Sequence, residues 1–303
     1  GGSRCLAIDN NGDLYIAGTS AQGFNEVFVT KINSSGTIVW QQFWKAANTS
    51  VSSASAKAYA LDVINNKIFI TGSTGAGTGT EESHAFLLVL NTTDGTVNAN
   101  TKLGIDLSAT YNDRGYTVKS PDGNIVYIAG WEGQNNSGFV AKMYMDGSFP
   151  NWYKRVNLGV GARFTDIDLD GSGNLYLGAD YRGVSTFIGV LKMDANGNII
   201  WSTKFQGLSN DRNNVSCVRV INNLLYVGGR GSFDGYDTGQ FGDGCLLRYD
   251  LNGNLQKQYN LLDPPLNFRP LLKKQQDWVC LQAHQMHLLL LKNNAEYLIH
   301  PTQ

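Results

Sequence analysis

Basic residues recur at one station of this 303-residue chain: Arg4, Lys57, Arg114, Arg163, Arg212 and Arg269. In three copies the cation follows an asparagine two residues earlier, as Asn112-Asp113-Arg114, Asn210-Asp211-Arg212 and Asn267-Phe268-Arg269. Six cations at a repeated station would ring one surface and draw an anion or an acidic ligand to it. The same cations would equally serve to pair with Asp side chains or loop carbonyls between repeats. Aromatic residues collect in the most variable segments as Trp131, Tyr181, Phe233, Tyr236 and Phe241. Aromatic rings on variable loops over a rigid scaffold hold sugars, peptides or partner proteins, whereas rings packed between repeats only hold the scaffold.

The other reactive residue types are sparse. Asp113, Asp211 and Glu132 are the carboxylates nearest the cationic station, and no spacing pairs them as a general acid and base. The stretch DIDLDGSGN, from Asp166 to Asn174, resembles a calcium loop with Asp168, Asp170 and Asn174 as ligands. An EF-hand would need Glu where Leu177 stands and helices on both sides. Asp170 falls at the station of Asp9 and Asp62, which gives it a turn-forming role instead. GAGTG, residues 75–79, precedes a strand and so has no helix N-terminus to receive phosphate. Cys280, His284 and His287 are close in the chain, yet a strand sends the two histidines to opposite faces. There are four histidines in all and no Gly-x-Ser-x-Gly elbow. No catalytic residue emerges, so the expectation is a non-enzymatic chain with no cofactor beyond calcium.

The elements that must carry these residues are short strands. From Leu6 to Trp40 the chain reads as an apolar strand, a polar turn, a second strand ending in Gly, a loop, a third strand closing on Lys31, an NSSG turn and a fourth strand. The second-strand aromatic recurs as Tyr15, Phe69, Tyr127, Tyr176 and Tyr226, at steps of 54, 58, 49 and 50 residues. That is the period of an array of supersecondary units. The third strand repeats with Lys31, Lys142, Lys192 and Arg248 at one position and Val89 in the odd copy, followed each time by a Gly-containing turn. Pro270 to Gln275, Asp277 to Ala283, His287 to Lys292 and Glu296 to His300 fit the template as a degenerate sixth unit. No helical period and no apolar run of membrane-spanning length occurs.

Six such units, at residues 3–50, 56–103, 114–158, 163–206, 212–262 and 269–303, cannot each bury both faces alone. Arranged radially they can, so the expected fold is all-β, a single domain over 1–303 in the form of a six-bladed β-propeller of four-stranded antiparallel blades. An open solenoid is the alternative. In the propeller the first strand is innermost, and the cationic station and the loops between strands two and three share the channel-mouth face. Trp40, Trp152 and Trp201 end fourth strands and read as blade-packing residues.

The pattern Asp-x-x-Gly-Asx-x-Tyr-x-x-Gly, then Phe-x-x-Lys, then Gly-x-x-x-Trp resembles the β-propeller repeat of secreted and surface proteins, the SBBP type. It is clean in units one, three and four. Unit two lacks the Lys and the Trp, unit five has Leu255-Gln256 where the Trp would fall, and unit six is barely recognisable. The resemblance implies a propeller, an extracellular or cell-surface setting, and a scaffold without shared catalytic residues.

Composition narrows the partners. A net charge of -1 with 16% charged residues leaves no electrostatic footprint for nucleic acid or an anionic membrane. The chain opens on Gly1 with no Met and no signal peptide, and so reads as a mature or excised fragment. Asn33, Asn48, Asn91, Asn135 and Asn214 head N-glycosylation sequons. Cys5 and Cys280 fall on units one and six and would staple ring closure as a disulfide; four buried thiols are the alternative. The functional expectation is an extracellular structural or interaction module that binds a protein or glycan partner through the channel-mouth face. Its alternatives are a carbohydrate-active lyase or hydrolase at that mouth and a calcium-dependent adhesion module.

Overall fold

Alternating apolar and polar residues broken by Asx and Gly turns build antiparallel sheets and nothing else. The computed structural model describes residues 2–20, 26–45, 54–76, 83–103, 113–133, 136–148, 152–158, 161–182, 186–206, 213–231, 243–261, 278–283 and 286–291. Among them lie five four-stranded sheets, a two-stranded sheet and no helix. The first blade is β1 (Gly2–Ile8), β2 (Leu14–Ser20), β3 (Glu26–Ile32) and β4 (Ile38–Trp44). The second is β5 (Ala54–Ile64), β6 (Lys67–Ala76), β7 (His84–Asn91) and β8 (Val97–Leu103). The third is β9 (Arg114–Lys119), β10 (Ile125–Glu132), β11 (Ser137–Tyr144) and β12 (Trp152–Val156). The fourth is β13 (Ala162–Leu169), β14 (Leu175–Arg182), β15 (Thr186–Met193) and β16 (Ile199–Phe205). The fifth is β17 (Asn214–Ile221), β18 (Leu224–Gly231), β19 (Asp243–Asp250) and β20 (Leu255–Leu261), and after it comes the pair β21 (Trp278–Ala283) and β22 (Met286–Leu291).

Within each four-stranded sheet the strands pair in chain order. First strands pack on first strands from sheet to sheet, β1 on β5, β5 on β9, β9 on β13 and β13 on β17, which makes them the innermost. The core is therefore a series of layers between facing blades. One holds Tyr15, Val27, Ala58 and Ile70 between the first two blades, and another holds Tyr176, Val190, Val218 and Leu247 between the fourth and fifth. This is the all-β, propeller-type arrangement that the repeat implies.

The repeated residues turn out to be a latch between blades. Lys31 Nζ and Trp40 Nε1 both donate to the Thr92 carbonyl, in the turn between the last two strands of the next blade, at 3.3 and 3.1 Å. Lys142 and Trp152 do the same to the Ala195 carbonyl, both at 3.2 Å. Lys192 and Trp201 reach the Leu251 carbonyl at 3.2 and 3.1 Å. Each lysine also lies over its own blade's second-strand tyrosine, at 5.4, 5.7 and 5.0 Å from the ring centre of Tyr15, Tyr127 and Tyr176. Blade two, with Val89, uses Thr101 instead, whose hydroxyl donates to the Gly147 carbonyl at 2.9 Å. The blade-packing reading of the tryptophans holds at these three junctions.

Three assignments made from spacing shift. Arg248 pairs with Lys257, as Lys192 pairs with Trp201, so Lys257 and not Leu255-Gln256 occupies the tryptophan station of blade five. Asp62 lies opposite Phe69 as Asp168 lies opposite Tyr176, so Asp62 aligns with Asp168 rather than with Asp170. β21 packs on β17 and β18, the contacts that a first strand makes with the preceding blade elsewhere, whereas the template makes Asp277 to Ala283 a second strand.

Candidate functional site

The mouth face is shaped by a bulge that recurs in every described first strand. Pairing with the second strand skips one residue each time: Arg4, Tyr59, Tyr116, Thr165 and Ser216. A bulge bends the strand and re-aims the side chains beside it. Here it presses the first strand's carbonyl onto the second strand. A Cβ at Gly72, Gly130 or Gly229 would stand only 1.8, 1.9 and 2.1 Å from the carbonyl oxygens of Lys57, Arg114 and Asn214. In blades two, three and five the glycine that closes the second-strand motif thus meets the neighbouring backbone closely, whereas blade four carries Ala179 at the same register.

The residues whose carbonyls make that contact also define the cationic station. Lys57 pairs with Ser73, Arg114 with Trp131, Arg163 with Asp180, and Asn214 with Arg230. Lys57, Arg114 and Arg163 therefore share one level, as the repeat spacing implied. In blade five the cation at this level is Arg230, contributed by the second strand. Arg4 does not join them: it is itself the bulged residue of β1, and its side chain lies outside the described residues. Arg212, Arg269 and Tyr236 also lie outside the described residues.

Trp131 is held between two guanidinium groups, 4.8 Å from Arg163 and 5.9 Å from Arg114, and its indole N–H donates to Asn136 Oδ1 at 3.0 Å. The ring brings two like charges together, which cation–π attraction favours. Lys57, Arg114 and Arg230 form no ion pair among the described residues. The bulged Tyr59 and Tyr116 add two more rings at the inner strands, with centres 5.5 Å apart. Neither tyrosine nor Arg230 stands out in the sequence; the recurring glycine is the signal that could have located the bulge.

Tyr181 is a correction. It is 0% exposed, stacks over Gly189, meets Phe187 edge-on and lies under the Lys204 ammonium at 4.6 Å. It belongs to the core of blades three and four and offers no ring to a ligand.

The calcium candidates are not brought together. Asp168 Oδ2 accepts from the Val220 N–H of the next blade at 2.8 Å. Asp170 closes its own turn, accepting from the Ser172 and Asn174 N–H groups through Oδ1 and from Asn174 Nδ2 and the Tyr176 hydroxyl through Oδ2. Asp9 makes the same turn with Tyr15, so the turn-forming role is right for Asp9 and Asp170. Among the described residues no three His, Cys, Asp or Glu side chains are grouped to hold a metal. Burial pushes the Asp168 carboxyl up, while for Asp170 the hydrogen bonds from Asn174, Tyr176 and Ser172 outweigh burial and hold it down.

Two carboxylates that spacing left unpaired do meet at the edge of this face, between blades two and three. Glu132 is 3% exposed and receives Arg155 Nε and Nη2, both at 2.7 Å. Asp113 is also buried and accepts the Gly133 N–H at 3.1 Å. Burial, and after it the charge of Glu132, pushes the Asp113 carboxyl up. Asp211 lies outside the described residues.

The modification candidates divide similarly. Asn33 Oδ1 accepts the Ser35 and Thr37 N–H groups in a turn. The Asn91 amide is committed to Lys67 and Thr96. Asn214 stands in the innermost strand, and Asn48 and Asn135 lie outside the described residues. Cys5 packs on the core shared with blade two and its thiol donates to the Ala17 carbonyl at 3.6 Å; the Cys280 side chain is outside the described residues.

No protein-family model and no curated protein matches the sequence. Solved structures do match the fold. A putative 6-phosphogluconolactonase from Bacteroides fragilis is similar at 13% identity, with 86% of this chain and 70% of that one covered and a TM-score of 0.53. A quinohemoprotein alcohol dehydrogenase from Pseudomonas putida is similar at 11% identity, 84% of this chain and a TM-score of 0.50; the chain spans 52% of its length. An α-L-arabinofuranosidase from Clostridium thermocellum is similar at 11% identity, with 86% and 94% covered and a TM-score of 0.46. The fold is of the β-propeller class. The expectation of a non-enzymatic chain does not stand against these structures. Proteins on this fold include enzymes by name, so a missing sequence motif is no ground for excluding an activity.

Proposed function

We propose that the mouth face of blades two to five binds an anionic ligand, a glycan carrying carboxylate groups, in an extracellular setting of the SBBP kind. The observation that carries this reading is the shared level of Lys57, Arg114, Arg163 and Arg230, with three of the four forming no ion pair among the described residues. Unneutralised cations held close together raise the local potential and so the affinity for an anion. Tyr59, Tyr116 and Trp131 supply apolar ring surface beside them, the complement of a sugar's C–H face. Titration calorimetry with polygalacturonate and with an uncharged glucan tests it. Binding of the first alone, weakened at least ~10-fold in Arg114→Ala and by raised salt, is expected. Equal binding of both glycans, or none, overturns it.

A second reading rests on Asp113 and Glu132. A carboxyl pushed up by burial beside a carboxylate held by an arginine is the arrangement of an acid and a base, which makes hydrolysis of a bound glycan worth assaying. New reducing ends from polygalacturonate, abolished in Asp113→Asn, would support it; a wild-type protein that binds without releasing any would sink it.

A further inference from the structure

The fourth strand of each blade ends its sheet, so the outer row of its backbone N–H and C=O groups is open to pairing with another chain. The blades blunt this edge in two ways. A bulge sits near the start of β4, β8, β16 and β20, where pairing with the third strand skips Val39, Asn98, Ile200 and Gln256. Beyond it the strands carry cations, which deter edge pairing. Lys102, Arg155 and Lys204 stand at one register, opposite Phe86, Phe139 and Gly189. Blade five has Asn260 at that register and carries Lys257 instead. Blade one departs from the rule. β4 reads Ile-Val-Trp-Gln-Gln-Phe-Trp, with Phe43 at the cation's register opposite Phe28, and it is the one fourth strand without a charged residue.

Ile38, Val39 and Phe43 are 64, 49 and 54% exposed, and Gln41 and Gln42 are exposed with them. Aliphatic residues are also exposed at the starts of β8, β16 and β20, as Val97, Ile199 and Leu255, so what sets β4 apart is the stretch from Trp40 to Trp44. That stretch pairs in unbroken register with Val27 to Lys31. Its two tryptophans are held against blade two, Trp40 by the Thr92 carbonyl and Trp44 by the Phe86 ring at 5.0 Å, so the strand is a firm edge. The sequence Trp-Gln-Gln-Phe-Trp also matches itself when reversed. Antiparallel pairing of two copies about Gln42 sets Trp40 of each opposite Trp44 of the other and Gln41 opposite Phe43. Aromatic rings then meet across the join and no like charges oppose one another. The same pairing in blade three, about Lys154 at the register of Gln42, would set two lysines face to face.

We propose that the outer edge of β4 is a homodimer interface, in which β4 pairs antiparallel with β4 of a second copy about Gln42. The contact is isologous and joins the first blades of two molecules into one continuous sheet. A single edge buries less surface than a permanent dimer does, so the association is reversible and falls in the micromolar range. The cationic level lies on the innermost strands, so dimerisation and polygalacturonate binding are separate measurements. Sedimentation velocity on the full chain from ~1 to ~200 µM is expected to show monomer passing into dimer. Gln42→Lys sets two lysines opposite each other and copies the residue that blade three carries at that register; it is expected to weaken the dimer at least ~10-fold with the fold intact by circular dichroism. Gln42→Cys treated with a short bis-maleimide is expected to join two molecules through residue 42 by peptide mapping, whereas Thr203→Cys, at the same register of β16, is not. This arm decides if Gln42→Lys does not fold. A wild type that stays monomeric, with its edge bare or taken by a strand of another protein, overturns the proposal, as does a dimer that Gln42→Lys leaves intact or equal cross-linking through Thr203→Cys.

Discussion

Trp201 and Lys192 both donate to one oxygen, the Leu251 carbonyl of the next blade, Lys192 also lies 3.9 Å from Asp170 Oδ2, and the indole covers Gly253. A buried ring that closes a joint should be costly to remove. Trp201→Ala is expected to destabilise by about 3 kcal/mol in urea unfolding, and Lys192→Met by about 1, because the tryptophan still serves the carbonyl. Equal small losses for both would contradict the latch. The carboxylates give a pH signature of two signs. Asp168 is pushed up by burial, so between its unfolded and folded values the native state holds the extra proton, and stability falls as pH rises through that window. Asp170 is held down by its turn, so its contribution is present above the unfolded value, about 3.9, and is lost as pH falls. Asp168→Asn keeps an acceptor for the Val220 N–H and should flatten the decline that begins above the unfolded value of about 3.9, measured by unfolding free energies at three pH values. An unchanged slope would mean that Asp168 is not its source.

For the strand pair the decisive feature is the recurring bulge. It sets the height of Lys57, Arg114 and Arg163 and leaves Tyr59 and Tyr116 as extra residues on the inner strands. Gly130→Ala would drive a Cβ to 1.9 Å from the Arg114 carbonyl, a contact relieved only by moving backbone. A loss of about 2 kcal/mol or more is expected, together with weakened polygalacturonate binding, since Arg114 and Trp131 shift with the bulge. Gly173→Ala has φ 80° but nothing within 4 Å, so it should lose only the strain of about 1 kcal/mol and leave binding intact. These elements also mark where spacing stops being readable. Arg4 and Arg114 look equivalent by their place ahead of the second-strand aromatic, yet the bulge consumes Arg4 and spares Arg114. Arg230 is unreadable for the opposite reason, since it reaches the same level from the neighbouring strand.

At the scale of the molecule, stability is a chain of blade-to-blade junctions, each with its own apolar layer and latch. The junctions are not equal. The expected junction of unit six with blade one has the poorest match to the repeat, and hydrogen exchange is expected to be fastest in β1, β21 and β22 and slowest in β9, β13 and β14. Uniform exchange across all first strands would contradict this ordering.

What the sequence determined by itself is what a strand and its own turn decide. The alternation, the aromatic at every second strand, the Asx-Gly turns and the Lys and Trp stations arise from local hydrogen bonding and from a period of two, so they were legible as an all-β repeat and a propeller. The turn role of Asp170 and the packing role of Trp40, Trp152 and Trp201 belong to that class. The tertiary structure alone decided which residues meet across strands. Tyr181 became core because a glycine, Gly189, opened space beneath it, and Asp62 joined Asp168 rather than Asp170 because pairing with β6 and β14 fixed their registers. Glu132 and Asp113 met beside Arg155 because β10, β12 and the residue leading into β9 come together at one end of blade three. Each depends on strand register and on which strands lie side by side, and spacing along one strand carries no record of it.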